Sequence, residues 1–157
     1  MTSLEVRPAV VADVEKLTVI WHEHMHDLAK LDRRFRITEE APAHYRDDLQ
    51  TWLGREDARI LVAERDGRLI GFVVGWRVKR PPVQTPETIG LISDLCVDGH
   101  ARQGGVGSAL LDGLRGWFKD HQIEVVEAHV PQSHPIAQAF WRALGATDYL
   151  HVVRYRL

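Results

Sequence analysis

Between residues 102 and 108 the chain reads Arg-Gln-Gly-Gly-Val-Gly-Ser, three glycines in four positions, directly before a run of helical apolar spacing. A bare backbone at a helix start suits an anion. First-turn N–H groups lack intrahelical acceptors, the helix end carries partial positive charge, and consecutive amides can wrap a phosphate. A Cβ there would hold the phosphate oxygens away from the backbone. Spacing narrows the ligand. The phosphate-loop form, with four residues between glycines and then Gly-Lys-Ser/Thr, is absent, and the dinucleotide form Gly-x-Gly-x-x-Gly fails because Leu110 occupies its third glycine site. What fits is Arg-x-x-Gly-x-Gly, as Arg102, Gly105 and Gly107, preceded by the strand-like Leu95-Cys96-Val97. The competing reading is a glycine-rich helix entry required by packing alone.

Other residues nearby could move protons or bind cations. Asp94 and Glu87 are carboxylates on and just before the same strand, and either could take a proton from a reacting group. Against this, Asp94 could simply cap a strand bulge and Glu87 could be a solvated loop charge. His-Glu-His-Met-His at 22–26 sets His22 and His26 one turn apart, where they could share a metal. His24 lies on another face and no further ligand is identifiable, so solvated or substrate-lining histidines are expected and no metal. Cys96 has no neighbour in sequence that would lower its thiol pKa, and reads as a small strand residue rather than a nucleophile.

These residues need a frame. Leu4-Glu5-Val6-Arg7 alternates as a first strand, and Val14, Leu17, Trp21, Met25, Leu28 and Leu31 recur at helical spacing. A second helix is expected near 42–53, with Pro42 in its first turn and Gly54 at its end. Two apolar runs, 60–63 and 69–74, flank Asp66-Gly67, the signature of a type I′ hairpin. The prolines of 81–86 make a loop. Strand 89–97, helix 105–119, strand 123–130, helix 134–144 and strand 149–156 complete the order. The fold class is mixed α/β. About six strands form a mostly antiparallel mixed sheet, about four helices flank it, and the order is β-α-α-β-β-β-α-β-α-β in one domain over 1–157.

The strand before, the glycines and the helix after resemble the pyrophosphate-binding motif of the GNAT superfamily, the acyl-CoA-dependent N-acetyltransferases. Arg-Pro-Ala-Val-Val-Ala-Asp at 7–13 resembles that family's strand-to-helix opening, with Val10 in place of its usual Thr or Ser cap. Gly71–Trp76 resembles its third strand, and Phe-Trp-Arg-Ala-Leu-Gly-Ala-Thr-Asp-Tyr at 140–149 its late segment, usually written Phe-Tyr-x-x-Leu-Gly-Phe.

The resemblance implies acetyl transfer from acetyl-CoA to a primary amine of a small molecule or peptide, by direct attack without an acyl-enzyme. It implies that Leu95, Cys96 and Val97 meet the pantetheine arm and that Arg102, Gln103, Gly104, Gly105, Val106, Gly107 and Ser108 meet the pyrophosphate. His134 stands where an Asn often contacts the cofactor. A backbone N–H near Leu95 would face the developing oxyanion. Asp94 resembles the acid of an E-D-L/F motif, with Ser93 in place of the first acid, and it and Glu87 are the base candidates. Trp21 and Glu23, with the Asp-Arg-Arg-Phe-Arg connection at 32–36, would wall the acceptor site. Trp141 replaces a Tyr whose hydroxyl can protonate the leaving thiolate, a task indole cannot perform. Tyr149, Ser133 and His134 are the candidates for that role. Solvent could also serve, or the activity be weak, and the missing tyrosine supports an alternative reading, a catalytically silent acyl-CoA-binding sensor or regulatory module.

Composition sets limits. A chain of 157 residues, 45% hydrophobic and of net charge −2, can bury a core and is poorly suited to neutralising nucleic-acid phosphates. A single cysteine and the lack of a long apolar run point to a cytoplasmic protein with no membrane or nucleic-acid partner. Alternation in 149–156 permits a homodimer through pairing of last strands.

Overall fold

A computed structural model describes residues 3–101 and 104–157. Five strands, β1 (Leu4–Pro8), β2 (Ala58–Arg65), β3 (Arg68–Lys79), β4 (Thr88–Val97) and β5 (Val126–Ala128), form one sheet in chain order. Pairing is antiparallel from β1 to β4 and parallel between β4 and β5. Helices α1 (Val14–Leu31) and α2 (Ala41–Leu53) cover one face, α3 (Val106–Asp120) covers the other, and α4 (Pro135–Ala143) follows β5.

The alternation along β2 and β3 explains both layers. Ile60, Val62, Phe72 and Val74 join Val14, Leu17, Ile20 and Leu49 in the core under α1 and α2. Their neighbours Leu61, Ala63 and Val73 point the other way, to Leu110, Leu114 and Phe118 of α3. Covered on both faces, these strands read as unbroken apolar runs. Leu17, Leu49, Leu110 and Leu114 are all fully buried, each contributing about 2 kcal/mol of transfer free energy.

Local signals acted as expected at several joints. Asp66 and Gly67 take positive φ angles of 53° and 74° in the β2–β3 turn, and Pro42 and Gly54 bracket α2. Val10 has no capping oxygen, and Asp13 replaces it by accepting the Val10 N–H at 2.9 Å. Arg7 then donates to both Asp13 oxygens, at 2.8 and 3.1 Å, and pins the strand to the helix start.

The far end of the sheet departs from expectation. The strand expected over 123–130 is only three residues long, and 149–156 forms no strand. Five strands therefore stand where about six were expected. Among the described residues the last segment pairs with no strand, and every residue from 142 to 157 is exposed. No helix among the described residues is long and apolar enough to cross a membrane.

Candidate functional site

One irregularity in β4 shapes the site. Val74 faces Asp94 and Gly75 faces Ile92, so Ser93 is an extra, bulged residue with no partner on β3. β5 pairs with β4 only through Gly90, Leu91 and Ile92, and the strands part at the bulge. The Asp98 N–H donates to Ile70 O on the β3 side. Amides alternate along a strand, so those of Leu95 and Val97 point to the opposite edge, which β5 has vacated.

The gap is a cavity of about 600 Å³. Leu95, Cys96 and Val97 line one wall, and Ala128 to Pro131 line another. Gly105 to Ser108 form one end, while Ser93 and Asp94 sit at the bulge. His134, Phe140 and Trp141 reach it from the α4 side, and His24 and Met25 from α1. The volume falls in the range of small-molecule sites.

At the α3 end, Gly105 is the N-cap residue with φ 73° and ψ 14°, a left-handed conformation that other residues adopt only at a cost. Ala109 makes the helix's first backbone bond, to Gly105 O at 3.0 Å. The amides of Val106, Gly107 and Ser108 thus have no intrahelical acceptor. Gly107 has a packing reason as well, since a Cβ there would sit 3.1 Å from the Phe140 ring. Gly104 lies outside the lining, its carbonyl 3.4 Å from Arg65 Nη2. Arg102 and Gln103 lie outside the described residues. Beside this loop a smaller recess of about 200 Å³ is lined by Arg65, Arg68 and His100.

Asp94 is half-buried at the edge of the cavity. Ser93 Oγ donates to its Oδ2 at 2.7 Å and itself accepts from Trp76 Nε1 at 2.9 Å. Burial raises the Asp94 pKa above the usual carboxylate range, against the Ser93 hydrogen bond, which lowers it. Behind it the buried Tyr45 hydroxyl falls short of hydrogen-bond geometry, yet burial and the Asp94 charge hold its pKa well above normal. Tyr45 stacks on Trp21 at 4.1 Å and meets Trp52 edge-on, and Trp52 in turn meets Trp76 at 5.2 Å. Sequence reasoning missed Tyr45, Trp52 and Trp76. Three of the five tryptophans fall at 21, 52 and 76, which was the available signal.

His134 is the N-cap of α4, and its Nδ1 accepts the Ala137 N–H at 3.1 Å. In the neutral ring the proton is therefore on Nε2, a donor. The His24 ring lies 6.2 Å from it. Ser133 Oγ donates to Asp32 Oδ2 at 3.2 Å, tying the α4 start to the α1 end. Other expected site residues stand apart. Glu87 pairs with Lys79 at 3.4 Å, Glu23 is exposed, and Tyr149 is 72% exposed in the final segment. Trp21 does not line the cavity and stacks on Tyr45. Of the three histidines at 22–26, His24 is the one that lines the cavity. Among the described residues no group of three His, Cys, Asp or Glu could hold a metal ion.

Among proteins similar to this chain are acetyltransferases. The chain is 34% identical over 108 residues to a mycothiol acetyltransferase of Segniliparus rotundus, covering 68% of this chain and 39% of that one. It is 31% identical over 85 residues to an L-2,4-diaminobutyric acid acetyltransferase of Nocardia farcinica, covering 54% and 42%. The chain thus spans about two fifths of the length of these relatives. A predicted acetyltransferase of Clostridium acetobutylicum, solved with acetyl-CoA, has the same fold, with a TM-score of 0.80 at 15% identity, covering 98% and 96%. The model of the acetyltransferase (GNAT) family matches residues 22–146, and with that span covering most of the chain, the protein belongs to the GNAT family.

Proposed function

We propose that this chain is an N-acetyltransferase that uses acetyl-CoA to acetylate a primary amine of a small molecule or peptide. A single observation carries the reading. The unpaired amides of Leu95 and Val97 and those opening α3 line one continuous cavity, with the raised-pKa carboxyl of Asp94 at its bulge end.

The residues present suit acetyl-CoA. Leu95 and Val97 would pair with the amides of an extended arm as a neighbouring strand does. Val106, Gly107 and Ser108 would bind the diphosphate, and Gly105, Arg102, Gln103 and Gly104 shape or extend that grip. His134, which lines the same cavity, would add a cofactor contact. When bound, acetyl-CoA supplies an acyl group activated as a thioester.

The remaining chemistry belongs to the chain. The Leu95 N–H is a fixed donor for a carbonyl oxygen gaining negative charge, and needs no reorganisation. Asp94 Oδ accepts a proton from the ammonium or attacking amine, helped by a pKa closer to neutrality than that of a solvated carboxylate. Ser93 and Trp76 hold that carboxyl in one rotamer. His134 Nε2–H, in a ring kept neutral by its Nδ1 acceptor role, would offer a hydrogen bond to the leaving thiolate, and Ser133, Tyr149 and solvent are the other candidates for assisting it. Glu87 would act as the base only by an indirect route, and Glu23 with Trp21 would set acceptor preference. The arrangement suits a cationic acceptor in the cytoplasm and a catalytic unit of one domain. No side chain is needed as a nucleophile, and a buried Cys96 beside the arm supports direct attack without an acyl-enzyme.

Trp141 at the cavity wall favours the second reading, a silent acyl-CoA-binding module. The test is calorimetric titration with acetyl-CoA, followed by release of free thiol across a panel of amines. Saturable binding with turnover on at least one amine is expected. Saturable binding without turnover would select the silent module, and no binding by folded protein would end both readings.

A further inference from the structure

We infer that the acceptor is an amine carrying a single positive charge on an apolar body, and that the site rejects a second ammonium group. The inference deepens the acetyl-transfer reading and rests on it for the identity of the cavity.

The part of the cavity away from the α3 glycines decides the matter. Met25 and Leu28 of α1, Phe35 of the connection that follows and Ile92 of β4 wall it, with Ser93 and Asp94 at the bulge. Leu28 is buried, and Met25 and Phe35 are half-buried. Asp94 is the single carboxylate among the described residues that line the cavity. One of its oxygens already accepts from Ser93. It can balance one ammonium. A second, several carbons further along the same molecule, would meet methylene, thioether and phenyl groups that offer a cation no strong acceptor.

Neighbouring charges act in the same sense. The other ionisable side chains on the cavity wall, apart from Cys96, are His24, His129 and His134, which can add positive charge and never negative. Asp32, where α1 ends, accepts from Arg34 at 2.6 Å and from Ser133 at 3.2 Å. Glu23 is exposed and does not line the cavity. Phe35 closes the short turn Arg33–Phe35, in a stretch where Arg33, Arg34 and Arg36 stand against Asp32. Arg33 and Arg36 are exposed, so their repulsion of a further cation is screened by solvent and adds only modestly. A polyamine would therefore lose the hydration of each ammonium beyond the first without gaining a carboxylate.

An apolar body gains from the same walls. Alkyl or aryl surface laid against Leu28 and Phe35 leaves water in proportion to its area, and the flexible Met25 thioether adapts to differing shapes.

The test uses n-hexylamine and hexane-1,6-diamine, which share a chain length and differ by one terminal ammonium. Each is titrated by calorimetry into protein saturated with CoA, and each is then assayed as acceptor by thiol release from acetyl-CoA. Hexylamine should bind about tenfold more tightly or better, with a kcat/KM higher by a similar factor. Equal or tighter binding of the diamine overturns the inference, and so does the lack of saturable binding by hexylamine. Phe35→Glu puts a carboxylate into the apolar wall at a half-buried position and should shift the preference toward the diamine by about tenfold. Met25→Glu makes the same test should the first variant not fold. A preference unchanged in a folded variant would overturn the assignment of this wall to the acceptor. The titrations need no turnover, so a catalytically silent protein would sink the acetyl-transfer reading and still display the preference for a single charge.

Discussion

The Ser93 hydroxyl donates to Asp94 Oδ2 at 2.7 Å while accepting the Trp76 indole N–H at 2.9 Å, so the bulged residue of β4 links an aromatic wall to the cavity's carboxyl. Ser93 stabilises the charged form of Asp94 against the effect of burial. Ser93→Ala should move the acidic limb of the pH–rate profile to higher pH, because the remaining influence of burial favours the protonated acid. A rate loss of about tenfold at neutral pH is expected, the worth of one hydrogen bond to a charged group. A profile superimposable on wild type would remove Ser93 from any tuning role.

Asp94→Asn separates activity from stability. The folded-state pKa of Asp94 is raised, so its contribution to stability is complete below the unfolded carboxylate pKa and is lost as pH rises through the folded value. At neutral pH the ionised carboxyl therefore destabilises the fold, and the amide should melt at a higher temperature. Turnover should fall about 10²-fold or more if Asp94 takes the amine proton. A lower melting temperature at pH 7 with unchanged turnover contradicts both parts.

Much of this frame was legible in the sequence because it is local. The Asp66-Gly67 turn, the helical period of α1 and the glycines before α3 each encode their own conformation within a few residues. The cavity was legible only through the order of elements. What could not be read was the distant packing: Trp21, Tyr45, Trp52 and Trp76 come from three helix and strand segments and meet only in the fold. His24 was masked by its neighbours His22 and His26, since a helix shows its inward face only once its partners are known. The segment 149–156 has a strand pattern and forms no strand, because alternation specifies a face and does not supply a neighbouring strand.

Gly105 tests the backbone requirement at the α3 entry. No atom lies within 4 Å of a Cβ added there, so Gly105→Ala carries conformational strain without a clash. The φ of 73° should make it about 1 kcal/mol less stable by urea denaturation. Gly105→Asn should recover part of that loss, because Asn tolerates the left-handed region. Weakened CoA binding in the alanine variant and partial recovery in the asparagine variant are expected by calorimetry. Equal stability for all three proteins would show that this residue does not hold the left-handed conformation in solution.

The opposite pH sign is expected at the start of α1. Asp13 is buried, and the guanidinium of Arg7 with its two hydrogen bonds holds its carboxyl below the usual range. The stability it contributes is present above the unfolded pKa and is lost as pH falls through the folded one. Asp13→Asn should therefore cost about 1–3 kcal/mol at neutral pH, since it leaves Arg7 short of its charged partner and weakens the substitute cap on Val10. The gap between wild type and variant, measured by urea midpoints, should shrink steadily as pH drops below about 4, where the unfolded carboxylate begins to protonate. A gap independent of pH would mean that the loss comes from packing and not from the ion pair.

His134→Asn distinguishes the two roles of a single side chain. Asn can still accept the Ala137 N–H as an N-cap, so α4 should keep its stability within a few tenths of a kcal/mol. It cannot offer the imidazole Nε2–H to a departing sulfur, so turnover should fall about tenfold or more while CoA affinity stays near wild type. His134→Ala should lose both functions, with a further stability cost of about 1 kcal/mol from the missing cap. Parallel loss of CoA affinity and turnover in the asparagine variant would instead place His134 among the groups that bind the cofactor, and the leaving thiolate would have to be stabilised by Ser133 or water. The split between binding and turnover decides this, because a purely structural histidine would move neither once the cap is preserved.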